Sequence, residues 1–113
     1  MVTKTYVPDK NDIIWIDLSP TRGHEQSNVR PVLVLTPKEY NNRLGLFVGC
    51  PITAQIKGYP FEVSVAEEKV QGVVLADQIR SMDWKSRKVK FIQTASSELV
   101  TEVERNIKML LFT

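Results

Sequence analysis

Leu46-Phe47-Val48-Gly49-Cys50-Pro51-Ile52-Thr53 is the stretch from which the fold can be read. It has the length of a strand, and its apolar run barely alternates, so both faces need cover and the strand belongs in the middle of a sheet. Working toward the N-terminus, Asn41-Asn42 and Gly45 close a short helix. Thr36-Pro37-Lys38-Glu39 opens that helix as a capping box, with Thr at N-cap, Pro at N1 and Glu at N3. Val29 to Leu35 reads as a strand with Pro31 near its start, where a missing N–H is tolerated. Asp12 to Leu18 reads as another, β-branched and aromatic, ended by the turn signal Ser19-Pro20. Toward the C-terminus, Gly58-Tyr59-Pro60 turns into the strict alternation Phe61-Glu62-Val63-Ser64-Val65, and Gln71 to Ala76 and Lys88 to Gln93 are further strands. Leu99, Val103, Ile107 and Leu110 then recur at helical spacing from a Ser96/Ser97 cap, giving one amphipathic helix of about four turns that should pack across the sheet. Glu104 stands four residues before Lys108 as a supporting pair. Five or six short strands with few helices predict a mainly β fold, a small and strongly bent antiparallel sheet or barrel with a capping helix.

The chain has 113 residues, 12.9 kDa, which sets an expectation of a single domain over residues 1–113. Apolar residues at 42% and charged residues at 25% match ordinary globular usage and exclude disordered or collagen-like readings of the whole chain. The longest apolar runs are strand-sized, far below the roughly 18 residues of a membrane span. Met1 to Asp9 lacks the apolar core of a signal peptide, so a cytoplasmic protein with no membrane partner is expected. Cys50 is the only cysteine and His24 the only histidine, which excludes an intrachain disulfide, a Cys/His zinc site and any two-histidine mechanism. The net charge of +2 is too mild to identify a polyanionic partner. Between residues 80 and 90, however, Arg80, Lys85, Arg87, Lys88 and Lys90 face only Asp83, a basic ribbon that suits phosphates and a solvated turn equally.

Chemistry concentrates in three polar groups. Pro20 to Pro31 is a loop of about ten residues joining strands that a short turn would connect, and such length is often functional. It holds two candidate bases, Glu25 and His24, the amide of Gln26 and the guanidinium of Arg30. The second group, Pro51 to Gly58, carries Thr53 and Lys57, and the third is Asp77-Gln78-Ile79-Arg80. Trp15, Phe47 and Phe61 read as core residues, whereas Trp84 beside the basic ribbon suits either a core or a stacking platform.

Several motifs, in order, carry a resemblance. They are Val7-Pro8-Asp9, Asp12-Ile13-Ile14-Trp15, Pro20-Thr21-Arg22-Gly23-His24-Glu25-Gln26, Arg30-Pro31-Val32-Leu33-Val34-Leu35, Tyr40-Asn41-Asn42, Lys57-Gly58-Tyr59-Pro60-Phe61-Glu62-Val63 and Ala76-Asp77-Gln78. Each is weak alone, but together the chain resembles the MazF toxins of bacterial toxin–antitoxin systems from Tyr6 to about Asp83, and less so in the C-terminal helix. The resemblance implies an SH3-like β-barrel with short helices and a homodimer. It also implies an endoribonuclease that cuts single-stranded RNA at short sequences without a metal or other cofactor, and a cognate MazE-like antitoxin whose acidic C-terminal segment covers the RNA groove. By motif position Arg30 and Thr53 correspond to the principal catalytic residues, while Glu25, Lys57 and Gln78 line the groove or touch RNA. Kid-like members use a histidine at the His24 position and an aspartate at the Asp77 position, with an arginine two residues earlier. Leu75 stands in that arginine slot, which favours the scheme based on Arg30 and Thr53 and leaves Asp77 with Lys57, Gln78 and Arg80 among the RNA contacts.

The residue types fit the chemistry. RNA cleavage without a metal uses the adjacent 2′-hydroxyl as nucleophile, so the protein must take its proton, stabilise the phosphorane and protonate the leaving 5′-oxygen. Arg30 offers a planar, permanently charged fork, and Thr53 a hydroxyl on a rigid strand. Glu25 and His24 both remain candidates for the base. Two other classes suit the same scaffold, a nucleic-acid or peptide-binding barrel without catalysis and a gyrase-poisoning toxin of the CcdB kind.

Overall fold

The computed structural model describes residues 6–19 and 28–113. Its elements are β1 (Asp12–Asp17), β2 (Val29–Val34), α1 (Lys38–Leu44), β3 (Leu46–Thr53), β4 (Glu62–Ala66), β5 (Gln71–Leu75), a 3₁₀ turn (Ala76–Gln78), β6 (Arg80–Asp83), β7 (Val89–Thr94) and α2 (Ser97–Leu111). All strand pairs are antiparallel, in the order β4-β5-β3-β2-β1-β7. The expected central strand β3 holds the sheet together: it pairs with β2 along Gly49–Pro51, with β6 along Leu46–Gly49 and with β5 at Ile52 and Thr53. The pairing path runs from β4 to β7 with β6 added alongside β3, so the mainly β architecture with a C-terminal helix is as expected.

The unalternating runs follow from burial on both faces. Ile13, Leu33, Cys50 and Ile52 pack with Val63, Val74 and, from α2, Leu99, Val100 and Val103. On the other face Ile14, Ile16, Val32, Val34, Phe47, Met82 and Trp84 form a second cluster. α2 is capped as expected by Ser96, whose Oγ accepts the Leu99 N–H at 3.2 Å, and its Leu99–Val103 stretch lies against the sheet. Leu110, expected on the same stripe, is exposed.

Other expectations need correction. The described residues form seven strands, because β6, which runs from Arg80 to Asp83, is defined only by pairing with the first half of β3. α1 begins at Lys38 with Pro37 at its N-cap and no side-chain cap. Thr36 is engaged elsewhere: its Oγ1 accepts the Val48 N–H at 3.0 Å and donates to Asn41 Oδ1 at 2.7 Å. Glu104 pairs with Lys10 at 3.1 Å across the fold, instead of with Lys108. Trp15 is 40% exposed rather than core. Trp84 is buried, and its Nε1–H donates to the Asn41 carbonyl at 2.9 Å, which makes it a core residue. Among the described residues no helix is long and apolar enough to cross a membrane.

Candidate active-site cleft

A cleft of about 380 Å³ opens beside the end of β3, where its pairing passes from β6 to β5. Its walls come from separate segments: Asn28 and Arg30 from the approach to β2 and its start, Thr53 from the end of β3, Lys57 and Tyr59 from the β3–β4 connection, Asp77 and Gln78 from the 3₁₀ turn, and Arg80 from β6. The six candidates Arg30, Thr53, Lys57, Asp77, Gln78 and Arg80 thus line one cleft. Glu25, His24 and the rest of 20–27 lie outside the described residues.

Local structure holds several of these residues. Arg30 pairs with Ile16 of β1, and its Nε–H donates to Asn28 Oδ1 at 2.9 Å. Thr53 is paired with Val73, and its Oγ1 accepts the Gln55 N–H at 3.1 Å, which leaves the hydroxyl proton available for donation. The close approach of β5 to Thr53 depends on Gly72, which sits at φ +137°; a Cβ there would lie 2.2 Å from the Thr53 carbonyl oxygen. The turn that carries Lys57 is clamped by Glu62, whose two carboxylate oxygens accept the Lys57 N–H at 3.1 Å and the Gly58 N–H at 2.9 Å. Lys57 Nζ lies 5.9 Å from the centroid of the Tyr59 ring.

Three cations, Arg30, Lys57 and Arg80, face the carboxylates of Asp77 and Glu62, and both Glu62 oxygens already accept backbone N–H groups. The cleft is therefore biased toward a polyanion with room for neutral hydroxyl and amide donors. Behind it, burial and the Asp77 charge push the Cys50 thiol up to about 12, so this cysteine is an inert core residue and no nucleophile. Among the described residues no group of three His, Cys, Asp or Glu side chains is placed to hold a metal ion.

The sequence reading missed Asn28, Tyr59 and Glu62. Spacing held a signal for the first, because residues two apart on extended chain share a side, and Asn28 stands two before Arg30. The alternation of β4 separated Glu62 from the buried Val63 and Val65 without showing what it grips.

Over residues 9–111 the chain matches the family described as PemK-like, MazF-like toxin of type II toxin–antitoxin systems. It belongs to that family. The match extends through α2, where the quoted motifs thin out. This MazF-like toxin is 42% identical over 106 residues to the endoribonuclease toxin MazF of Escherichia coli (strain K12), covering 94% of this chain and 96% of that protein. It superposes on the crystal structure of MazF (Form-I) from Deinococcus radiodurans with a TM-score of 0.85 at 44% identity, covering 96% of this chain and all of the other. On the MazE–MazF structure (Form-II) from the same organism the TM-score is 0.88 at 44% identity, with 95% and 97% of the two chains covered.

Proposed function

We propose that this toxin, an endoribonuclease by family, cuts single-stranded RNA in the cleft of Arg30 and Thr53, acting in the cytoplasm as a homodimeric domain of residues 1–113. The observation that carries the reading is convergence: side chains from five chain segments, most of them polar or cationic, meet in one cleft with a cationic surplus. In the proposed reaction the 2′-oxygen attacks phosphorus while Glu25 or His24 takes its proton. The P–O5′ bond breaks as the leaving oxygen is protonated, giving a 2′,3′-cyclic phosphate and a 5′-hydroxyl. Arg30 compensates the charge that grows on the phosphorane, and the Thr53 hydroxyl donates to the same oxygens. Lys57 and Arg80 hold neighbouring phosphates, and Asp77 and Gln78 offer acceptor and amide groups to bases. Bases can be read on their Watson–Crick edges only when unpaired, which is why the substrate is single-stranded.

The D. radiodurans MazE–MazF structure supports a MazE-like antitoxin as partner. An acidic segment of that partner would use the same cations as RNA and so compete with it. The deciding experiment incubates purified protein with a single-stranded RNA in EDTA and analyses the ends. Cyclic phosphate and 5′-hydroxyl termini are expected, and single-turnover cleavage should fall by roughly 10²–10³ in Arg30→Ala. RNA that is bound but left intact would point to a binding barrel, and DNA damage dependent on gyrase with intact RNA to a CcdB-like poison.

A further inference from the structure

We propose that Asn28 is a positioning residue that fixes the Arg30 guanidinium so that it grips the scissile phosphate end-on, through Nη1 and Nη2. The inference rests on the reading of the cleft as the RNA-cutting site. A guanidinium can meet a phosphate along either of two edges, the side formed by Nε with one Nη or the end formed by both Nη atoms. In this cleft the side edge is compromised, because Nε–H already donates to Asn28 Oδ1 at 2.9 Å. The end edge keeps its parallel donors.

Asn28 is itself anchored. Its backbone N–H donates to Ser19 Oγ at 2.7 Å, and its carbonyl accepts the Leu18 N–H at 2.9 Å. These bonds tie it to Leu18 and Ser19 just past the end of β1, while Arg30 is tied to β1 itself by its register with Ile16. The arginine side chain is thus held near both ends, at its Cα by the sheet and at Nε by the amide. A long side chain on an exposed strand end otherwise carries considerable rotamer freedom that phosphate binding would have to remove. The acceptor is also neutral. A carboxylate at this point would orient the guanidinium equally well but would offset the charge that the phosphorane needs, whereas an amide orients it and leaves the charge intact.

Single-turnover cleavage of a short RNA over a range of protein concentrations tests this. Asn28→Ala should lower the rate at saturation by roughly 10–100-fold, the scale of misplacing a catalytic group, with a much smaller change in half-saturation. Asn28→Asp retains the acceptor but offsets the guanidinium charge, so it should recover only part of that rate, while half-saturation rises and becomes more sensitive to salt. In an Arg30→Lys background, which lacks the fork, Asn28→Ala should add less than about twofold, since residues acting as a unit are not additive. Independently of activity, the Arg30 Nε–H resonance should be resolved by NMR in the wild-type protein and lost in folded Asn28→Ala. Wild-type cleavage by folded Asn28→Ala, or a full additional loss in the Arg30→Lys background, would overturn the positioning role while leaving the function intact. Undiminished cleavage by Arg30→Ala would instead remove the reading on which both depend.

Discussion

Arg30 and Cys50 mark the two extremes of side-chain environment around the cleft. Arg30 is exposed and permanently charged, so its contribution is one of geometry: Arg30→Lys keeps the charge, loses the fork and should restore only part of the cleavage lost in Arg30→Ala, measured in the same single-turnover assay. Cys50 is fully buried and uncharged. Its thiol titrates near 12 in the folded chain against an ordinary value of 9, so the folded state favours the neutral form. Stability from this group is complete below about pH 9 and is lost as pH climbs from there toward 12. Tyr6 acts in the same direction, because burial and its hydrogen bond to Asp12 raise its phenol as well. The urea midpoint should therefore decline on the alkaline side of pH 9, less steeply in Cys50→Ala. At pH 8 the folded protein should react with a thiol reagent about 10³-fold more slowly than the urea-unfolded chain, from the difference in thiolate fraction alone. Equal labelling in the two states would refute the buried, neutral assignment.

Among the elements, β5 shows how the sheet shapes the cleft. At Gly72 an alanine would meet the Thr53 carbonyl at 2.2 Å from a left-handed backbone, so Gly72→Ala should destabilise by about 1–3 kcal/mol through strain alone and displace Thr53 as well. Urea unfolding measures the first effect, and cleavage by the protein that remains folded measures the second. An unchanged midpoint would show that β5 does not press on Thr53. The same contact shows what the sequence could reveal. β3 was legible to the residue, because burial on both faces imposes a continuous apolar run on the local sequence. β6 was not, since Arg80-Ser81-Met82-Asp83 becomes a strand only through a distant partner. Thr36 misled because its oxygen accepts a distant N–H, that of Val48, in place of an N–H from the first turn of the helix. That Arg30, Thr53 and Lys57 would share one cleft was legible from the three polar groups in which their residue types stand out. Asn28 and Glu62 were not legible, because they act by holding backbone or guanidinium groups and depend on geometry that spacing alone leaves open.

For the molecule as a whole, a cleft of about 380 Å³ is small for several nucleotides, which supports a substrate groove shared by two copies related by symmetry. Light scattering at tens of micromolar should return twice the chain mass of 12.9 kDa, and a strictly monomeric mass would exclude the shared groove. Binding of a non-cleavable RNA should weaken with salt, with a log–log slope near −2 if Arg30, Lys57 and Arg80 each neutralise one phosphate at about −0.7 apiece. A flat salt response would exclude that role for the three cations. The three partners of β3 have a dynamic consequence. No local fluctuation can free this strand without breaking its pairing to β2, β5 and β6 together, whereas β4 and β7 each have one neighbour and can fray alone. In native-state amide hydrogen exchange the interior amides of β3 should report the global opening free energy, with β4 and β7 exchanging through smaller openings. The middle of β3, where Gly49 is paired to β2 and β6 at once, would then be the last part of the protein to become mobile as it is warmed, after the cleft end that bears Thr53.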